Sequence, residues 1–430
     1  AKAQSWPKAG QRRLQSSEKT PKIMKTILLR SGWQTENIGD ITHTPGVLAV
    51  LEKHWPDAPI ILWPNDITRG VEAMLRARFP RLRFVRDAGK REPQFVSEAD
   101  PTLETAFAEA DLLLHGPGAC LVAQNDVEKW WRATGKPFGA YGITLGSDIG
   151  ATDGQARIPD ALRELLENAA FVFTRETRSL AVLQSLQIPN LPTGFAPDGT
   201  FAFDIRDEKS ADDLLAEYGL QTGEFVCVVP RLRMTPYWEI RPEIPISPDE
   251  IARRKALNAQ FAPLDHAKLR EIIEIWVRQT GKSVLICPEM NYQVAIARPL
   301  VFEPLAADVK PFVQTLNRYW LPDEAASVYA RSGGVVSLEC HSPIIANAVG
   351  RPGFYLAQPT DTWKSQMYPD LGLGDWAWNI ETADAGQVAA RLLETQSDPE
   401  AARETVENAS QSAHEQFRRT MPLIRALFAA

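Results

Sequence analysis

From residue 25 onward, short apolar runs alternate with longer stretches in which apolar positions recur every three or four residues. Short continuous apolar runs read as strands buried on both faces, and the amphipathic stretches between them read as helices covering a parallel sheet. In the first half this pattern predicts strands over 26–29, 59–63, 82–85, 111–115, 138–143 and 171–174. Helices are predicted between them over 45–54, 67–79, 127–134, 160–168 and 175–186. A charged, turn-rich piece over 204–213 breaks the rhythm, and a fresh strand over 224–230 restarts it. Helical patterns over 267–279 and 323–331 then alternate with strand-like runs over 284–287, 311–316, 334–338 and 353–356. The repeated order strand, helix, strand predicts an α/β chain with two open sheets.

A domain boundary is expected near residue 205. It separates a first domain over 25–204 from a second over 205–384. The stretch 235–264, rich in Pro, Glu and Arg, reads as an insertion loop or lid. Residues 1–24 form a polar extension. The segment 385–430 is helical in pattern, with Val388, Leu392, Phe417, Met421 and Leu427 as apolar positions, and its last helix is expected to pack back on the first domain. The length agrees with this division, since 430 residues exceed what one hydrophobic core usually supports.

Composition narrows the function. The net charge is −7, from 47 basic and 54 acidic residues, and no long Lys or Arg run tracks a phosphate backbone, which argues against nucleic acid as a partner. Cys120, Cys227, Cys287 and Cys340 lie more than 50 residues apart and have no paired spacing for zinc, so no metal is expected. No apolar run approaches the ~20 residues that a membrane helix needs. The opening Ala1-Lys2-Ala3 and the polar, basic segment that follows suggest the start of an exported chain, periplasmic or extracellular, rather than a cytoplasmic one.

Candidate chemistry clusters where predicted strands end. The run Gly333 to Pro352 reads as a strand, a polar turn and a small-residue helix, and it puts Glu339 and His341 at a strand's carboxyl end, where open α/β sheets bind ligands. An imidazole beside a carboxylate suits proton transfer, or is a structural histidine satisfied by its neighbours. Glu289, after the strand ending at Cys287-Pro288, belongs at the same edge. Arg231 and Arg233 follow the second domain's first strand and either point into a cleft or face solvent. The turn Asn37-x-Gly39-Asp40 after the first strand suits sugar or anion recognition, and is equally an ordinary turn and helix cap. Gly116-x-Gly118 offers backbone amides to a ligand or makes a tight connection. Arg175 at a strand terminus and Ser179 one helical turn later complete the candidates. Among twelve tryptophans, Trp33, Trp238 and Trp363 fall in loops and could serve as sugar platforms.

Taken in order, these pieces resemble the polysaccharide pyruvyl transferase family. The matching elements are Asn37-x-Gly39-Asp40, Gly116-x-Gly118, Lys136-Pro137, Arg175-Glu176-x-x-Ser179, Pro197-Asp198, the His341 turn and Asp370-Leu371-Gly372-Leu373, spanning residues 25–380. The resemblance implies two Rossmann-like domains facing a cleft in a GT-B-like architecture. It also implies transfer of a pyruvyl group from phosphoenolpyruvate to a glycan as a ketal, with phosphoenolpyruvate as co-substrate and no cofactor or metal. By the same resemblance His341 is the general acid that protonates the enol, and arginines hold the donor's phosphate and carboxylate.

One position departs from the family. Its late turn usually reads Arg-x-His, and here Glu339 stands in place of the arginine, where it would repel a trianionic donor. The missing charge would have to come from Arg231, Arg233, Arg351 or Lys364. Two further readings therefore stand beside the transferase. Glu339 and Glu289 could act as acid and base in a glycan-directed hydrolase, cutting a glycosidic bond or a pyruvate ketal. Alternatively, the chain is a non-catalytic glycan-binding protein.

Overall fold

The apolar runs form the strands of two parallel sheets, most strands followed by a helix that returns the chain to the sheet's opposite end. A computed structural model describes residues 25–86, 97–145, 150–152 and 155–427. The polar extension over 1–24 lies outside the described residues.

The first lobe runs β1 (Ile27–Arg30), α1 (Ile38–His54), β2 (Ile60–Trp63), α2 (Val71–Arg78), β3 (Arg83–Phe84), α3 (Leu103–Glu109), β4 (Leu112–His115), α4 (Gln124–Thr134) and β5 (Phe138–Ile143). A small antiparallel hairpin, β6 (Gly150–Thr152) and β7 (Gln155–Arg157), leads to α5 (Asp160–Asn168), β8 (Phe171–Thr174), α6 (Thr177–Ser185) and β9 (Thr193–Phe195). The sheet order is β3-β2-β1-β4-β5-β8-β9. Because β1 pairs with β2 on one side and β4 on the other, the chain direction across the sheet reverses there. The loops after β1 and β4 thus splay apart and leave a crevice.

After α7 (Glu208–Tyr218), the second lobe repeats this plan. It runs β10 (Phe225–Val229), α8 (Tyr237–Ile240), α9 (Pro248–Thr280), β11 (Ser283–Ile286), α10 (Gln293–Ile296), β12 (Val313–Thr315), α11 (Pro322–Arg331), β13 (Val335–Ser337), α12 (His341–Ala348), β14 (Gly353–Ala357), α13 (Met367–Asp370) and β15 (Ala377–Asn379). Its order is β12-β11-β10-β13-β14-β15, so the switch point falls between β10 and β13. Two helices, α14 (Ala385–Ser397) and α15 (Pro399–Leu427), close the chain. The 29-residue α15 crosses back to the first lobe, where Thr420 Oγ1 and Tyr141 Oη are 2.7 Å apart.

Two predicted elements are corrected, and two short edge strands go unpredicted. The stretch 235–264 is not one long loop, because its second half is the first half of the 33-residue α9, started by Ser247 accepting from the Glu250 amide and by Pro248 in the first turn. Its charges, such as Glu250 with Arg253 and Arg254, are helix-face pairs at i,i+3 and i,i+4 rather than loop polarity. The helix predicted from residue 45 begins at Ile38, with Asn37 as its cap and Pro45 inside it. The three-residue strands β9 and β15, at the sheet edges, are too short to carry an apolar signature.

The carboxyl ends of the two sheets face each other. Backbone bonds join them directly: Ile38 N donates to Glu289 O at 2.9 Å and Asn291 N to Glu36 O at 3.0 Å. The loop after β1 is therefore stitched to the loop after β11, and whatever follows those strands meets in one interlobe gap.

Candidate functional site

The second lobe sends three adjacent strand ends to the gap, from β11, β10 and β13. After β13 the chain turns on Ser337, whose hydroxyl accepts from the Glu339 amide at 2.8 Å, and α12 then begins at His341. Glu289, beyond β11, accepts from the Ser342 amide through Oε2 at 2.6 Å. It thereby caps α12, where a negative charge is favoured by the helix's exposed amides. Its other oxygen lies 3.6 Å from His341 Nδ1.

The first lobe supplies the other half. Thr144, Arg175 and Asp198 follow β5, β8 and β9, and His43 stands on α1 one turn after Asp40. Asp198 is fully buried. One oxygen accepts from the Thr200 amide and hydroxyl, both at 2.9 Å. The other accepts from Arg175 Nη1 at 2.7 Å and lies 3.3 Å from His43 Nε2 and 3.8 Å from His341 Nε2. The two imidazoles meet edge-to-face with their Nε2 atoms 3.2 Å apart. Gly39 makes this contact possible, since a Cβ there would lie 2.5 Å from His341 Cβ and Nδ1.

Electrostatics follow from this packing. Burial alone would discharge His341, but Asp198 and Glu289 outweigh it and push the imidazole up to about 9, so the ring is a cation at neutral pH. Burial likewise opposes charge on Asp198, yet His43, His341 and Arg175 hold it well below the usual carboxylate range. Glu289 is lowered by His341 and the Ser342 amide against burial.

A second network lies beside the first. Arg231 Nε is 3.2 Å from Glu339 Oε1, and its Nη1 bonds Asp361, which also faces Lys364 Nζ at 3.0 Å and accepts from the Tyr355 hydroxyl. Gln293 donates to Glu339 at 2.8 Å. Burial pushes Glu339 up to about 7, with Arg231 working against it.

Among the described residues, one group brings together atoms able to ligate a metal: His43, Asp198 and His341, within 4.8 Å of one another. Arg175 already delivers a full positive charge to the Asp198 oxygen that both imidazoles face. The N···N separation is that of a hydrogen bond, and the two imidazoles and Asp198 form one buried, hydrogen-bonded group.

Comparison with known proteins agrees with this architecture. A model of the polysaccharide pyruvyl transferase family matches residues 37–358, most of the chain and all of the elements just described from Asn37 to Gln358. The chain belongs to the polysaccharide pyruvyl transferase family. No curated protein matches it in sequence. Among solved structures it resembles a UDP-GlcNAc 2-epimerase from Neisseria meningitidis bound to UDP-GlcNAc, with TM-score 0.54 and 12% identity over 94% of this chain and 100% of that one. It also resembles HepE from Anabaena in complex with UDP and glucose, with TM-score 0.51 and 11% identity over 94% and 100%. At such identity the likeness shows the fold alone, a GT-B-like pair of Rossmann-like lobes. As a member of a pyruvyl transferase family, the chain is an enzyme of the transferase class with a carbohydrate-related function. No helix among the described residues is long and apolar enough to cross a membrane.

Within this pyruvyl transferase fold, the gap collects His341, Glu289, Glu339, Arg231, Arg175, Gly39 and Asp40. Asn37 is there as a cap, its side chain accepting from the Gly39 and Asp40 amides. Four expected ligand contacts are structural instead. Arg233 is tied to Asp265 at 2.8 and 2.9 Å and to Glu381 at 2.9 Å, and lies over the Phe261 ring. Ser179 accepts from the Leu145 amide at 2.9 Å. Gly116 packs against Ser31, where a Cβ would come within 2.9 Å of the hydroxyl, and Gly118 bridges to the end of β5. Arg351 bonds Ala330 O at the end of α11, so only Lys364 of the reserve cations joins Arg231. Trp33 is no sugar platform, being buried, stacked on His115 and bonded to Pro117 O. Cys340 is buried, and burial pushes its thiol up, away from reactivity.

The pair Glu289 and Glu339 does not flank open space. Glu289 is committed to the α12 amide and His341, and Glu339 to Gln293 and Arg231. Sequence reasoning missed His43 entirely and took Asp198 only as a family landmark. The available signal for His43 was its i,i+3 spacing from Asp40 on one helix face.

Proposed function

We propose that the interlobe gap transfers a pyruvyl group from phosphoenolpyruvate to two hydroxyls of a glycan, closing a ketal and releasing phosphate. The supporting observation is His341, an imidazole held as a cation by two buried carboxylates at the meeting point of the lobes. A protonated imidazole can deliver its proton to the donor's methylene carbon, turning the enol into an oxygen-stabilised cation at C2. The first hydroxyl adds there and phosphate departs; the second hydroxyl then adds and closes the ketal. The two hydroxyl protons balance the step, one restoring the imidazolium and one leaving on phosphate. The donor carries its own activated enol, so the chemistry asks for no resident cofactor.

Asp198 and Glu289 position the ring, Arg175 holds Asp198 in place from Thr144, and Arg231 is the anion contact. Glu339 governs how much charge Arg231 can offer. When Glu339 is protonated, Arg231 and Lys364 share Asp361 as their ion-pair partner among the described residues, which leaves one positive charge for the donor's phosphate or carboxylate. Asp40, at the edge of the gap with a quarter of its side chain exposed, meets a glycan hydroxyl. Because the two imidazoles touch in this closed form, the donor enters when the lobes part.

The test is phosphate release and ketal formation from phosphoenolpyruvate with a panel of oligosaccharide acceptors. We expect turnover by the wild type and a loss of about 100-fold or more in His341→Asn, the scale of a lost general acid. Glycan binding by both proteins with no phosphate released by either would reject the transfer reading in favour of a glycan-binding protein.

A further inference from the structure

The acid of the proposed reaction is sealed from water on its own lobe's side. His341 has its Nδ1 turned to Glu289 and its Nε2 turned to His43 and Asp198, and its side chain is 7% exposed. The way out runs through the opposite lobe. His43 Nε2 is 3.2 Å from His341 Nε2, and His43 Nδ1 is 4.0 Å from Asp40 Oδ1. Asp40 is the member that reaches solvent, with a quarter of its side chain exposed, and Gln34 holds its other oxygen. Asp40, His43 and His341 therefore succeed one another from the solvent edge of the gap to the acid, with 4.0 Å between Asp40 and His43 and 3.2 Å between the imidazoles.

His43 is poorly explained as packing. Its Nδ1 is buried without a hydrogen-bond partner among the described residues, an arrangement that costs stability unless the nitrogen exchanges a proton with something close by. The charged groups that face the pair from every side are Asp198 with its Arg175, Glu289 beyond His341, and Asp40. An imidazole in such a place passes a proton by taking one at one nitrogen and releasing one at the other.

We propose that His43 is a positioning residue that relays protons between Asp40 and His341, keeping the acid charged while the lobes are closed. The proposal rests on the reading of His341 as the proton donor. The proton that restores the imidazolium is then the first glycan hydroxyl's: it is taken up at Asp40, His43 accepts a proton at Nδ1 and releases another from Nε2, and His341 regains the one it gave to the donor carbon, so nothing is oxidised or reduced.

His43→Gln keeps a flat, hydrogen-bonding side chain but cannot carry a proton through. We expect kcat to fall about tenfold or more with the donor KM nearly unchanged, a displaced pH profile, and partial recovery in added imidazole. Asp40→Asn should give a smaller loss of the same kind. A second readout needs no turnover: in a nitrogen-15 NMR titration, His341 should shift its midpoint in His43→Gln. That shift without phosphate release would sink the transferase reading and leave the relay standing. The relay is overturned if a folded His43→Gln protein keeps its kcat and pH profile, or if His341 titrates unchanged in it. It is also overturned by a stoichiometric divalent ion that the wild type retains and His43→Gln loses, since both Nε2 lone pairs would then belong to the ion.

Discussion

The two lobes solve one geometric problem in the same way and end with different chemistry. In each, the central strand of a parallel sheet, β1 or β10, marks the switch point, and a helix starting at the sheet's carboxyl edge brings a histidine to the gap. In the first lobe the helix cap is the neutral amide of Asn37, followed by His43. In the second it is the carboxylate of Glu289, whose free oxygen faces His341. A capping residue thus does more than satisfy amides: together with Asp198 across the gap, the charge of Glu289 holds the neighbouring imidazole as an acid. The second lobe also packs Glu339 and Asp361 against Arg231 and Lys364, so its cations are already matched before any donor arrives.

The sharpest way to break this comparison is to make the two caps alike. Glu289→Gln retains an oxygen for the Ser342 amide but removes the charge, and we expect turnover to drop about thirtyfold while the protein stays folded. An unchanged rate would show that the carboxylate serves only the helix. Next in size is the donor dependence on Glu339. Because burial pushes this group up to about 7, it ionises above neutrality and reclaims Arg231, so the donor KM should rise about tenfold between pH 6 and pH 8 in the wild type and stay flat in Glu339→Gln. A KM that climbs equally in both proteins would mean Arg231 does not hold the donor.

The smallest expected effect is thermal. His341 is raised from its ordinary 6.5 to about 9, so the stability its charge contributes is complete below 6.5 and is lost as pH rises through about 9. Melting temperature should therefore slip by a few degrees over that window, and His341→Asn should flatten the slope. A wild-type curve without that slip would mean the interlobe ion pairs hold nothing together.

Much of this molecule was legible in its sequence, and the illegible parts share a cause. Strands such as Phe138–Ile143 and Phe171–Thr174 are buried on both faces and announce themselves as apolar runs. Glu339 and His341 could be placed because they follow such a strand directly. Pro45 concealed the true start of α1, since a proline normally marks a helix's first turn rather than its interior. Arg231 and Arg233 looked equivalent two residues apart, yet only packing against α9 reveals that Arg233 is spent on Asp265. His43 and Asp198 lie hundreds and more than a hundred residues from His341, and they reach it only because the lobes dock. No local pattern encodes that docking.

The central claim is that His341 is held as a cation by carboxylates from both lobes, and its own titration tests this most directly. Followed by nitrogen-15 NMR in the full-length wild type, with His341→Asn used to assign the signal, the ring should titrate near 9. A midpoint at or below 6.5 would contradict the account, because an imidazole already neutral at physiological pH has no proton to give.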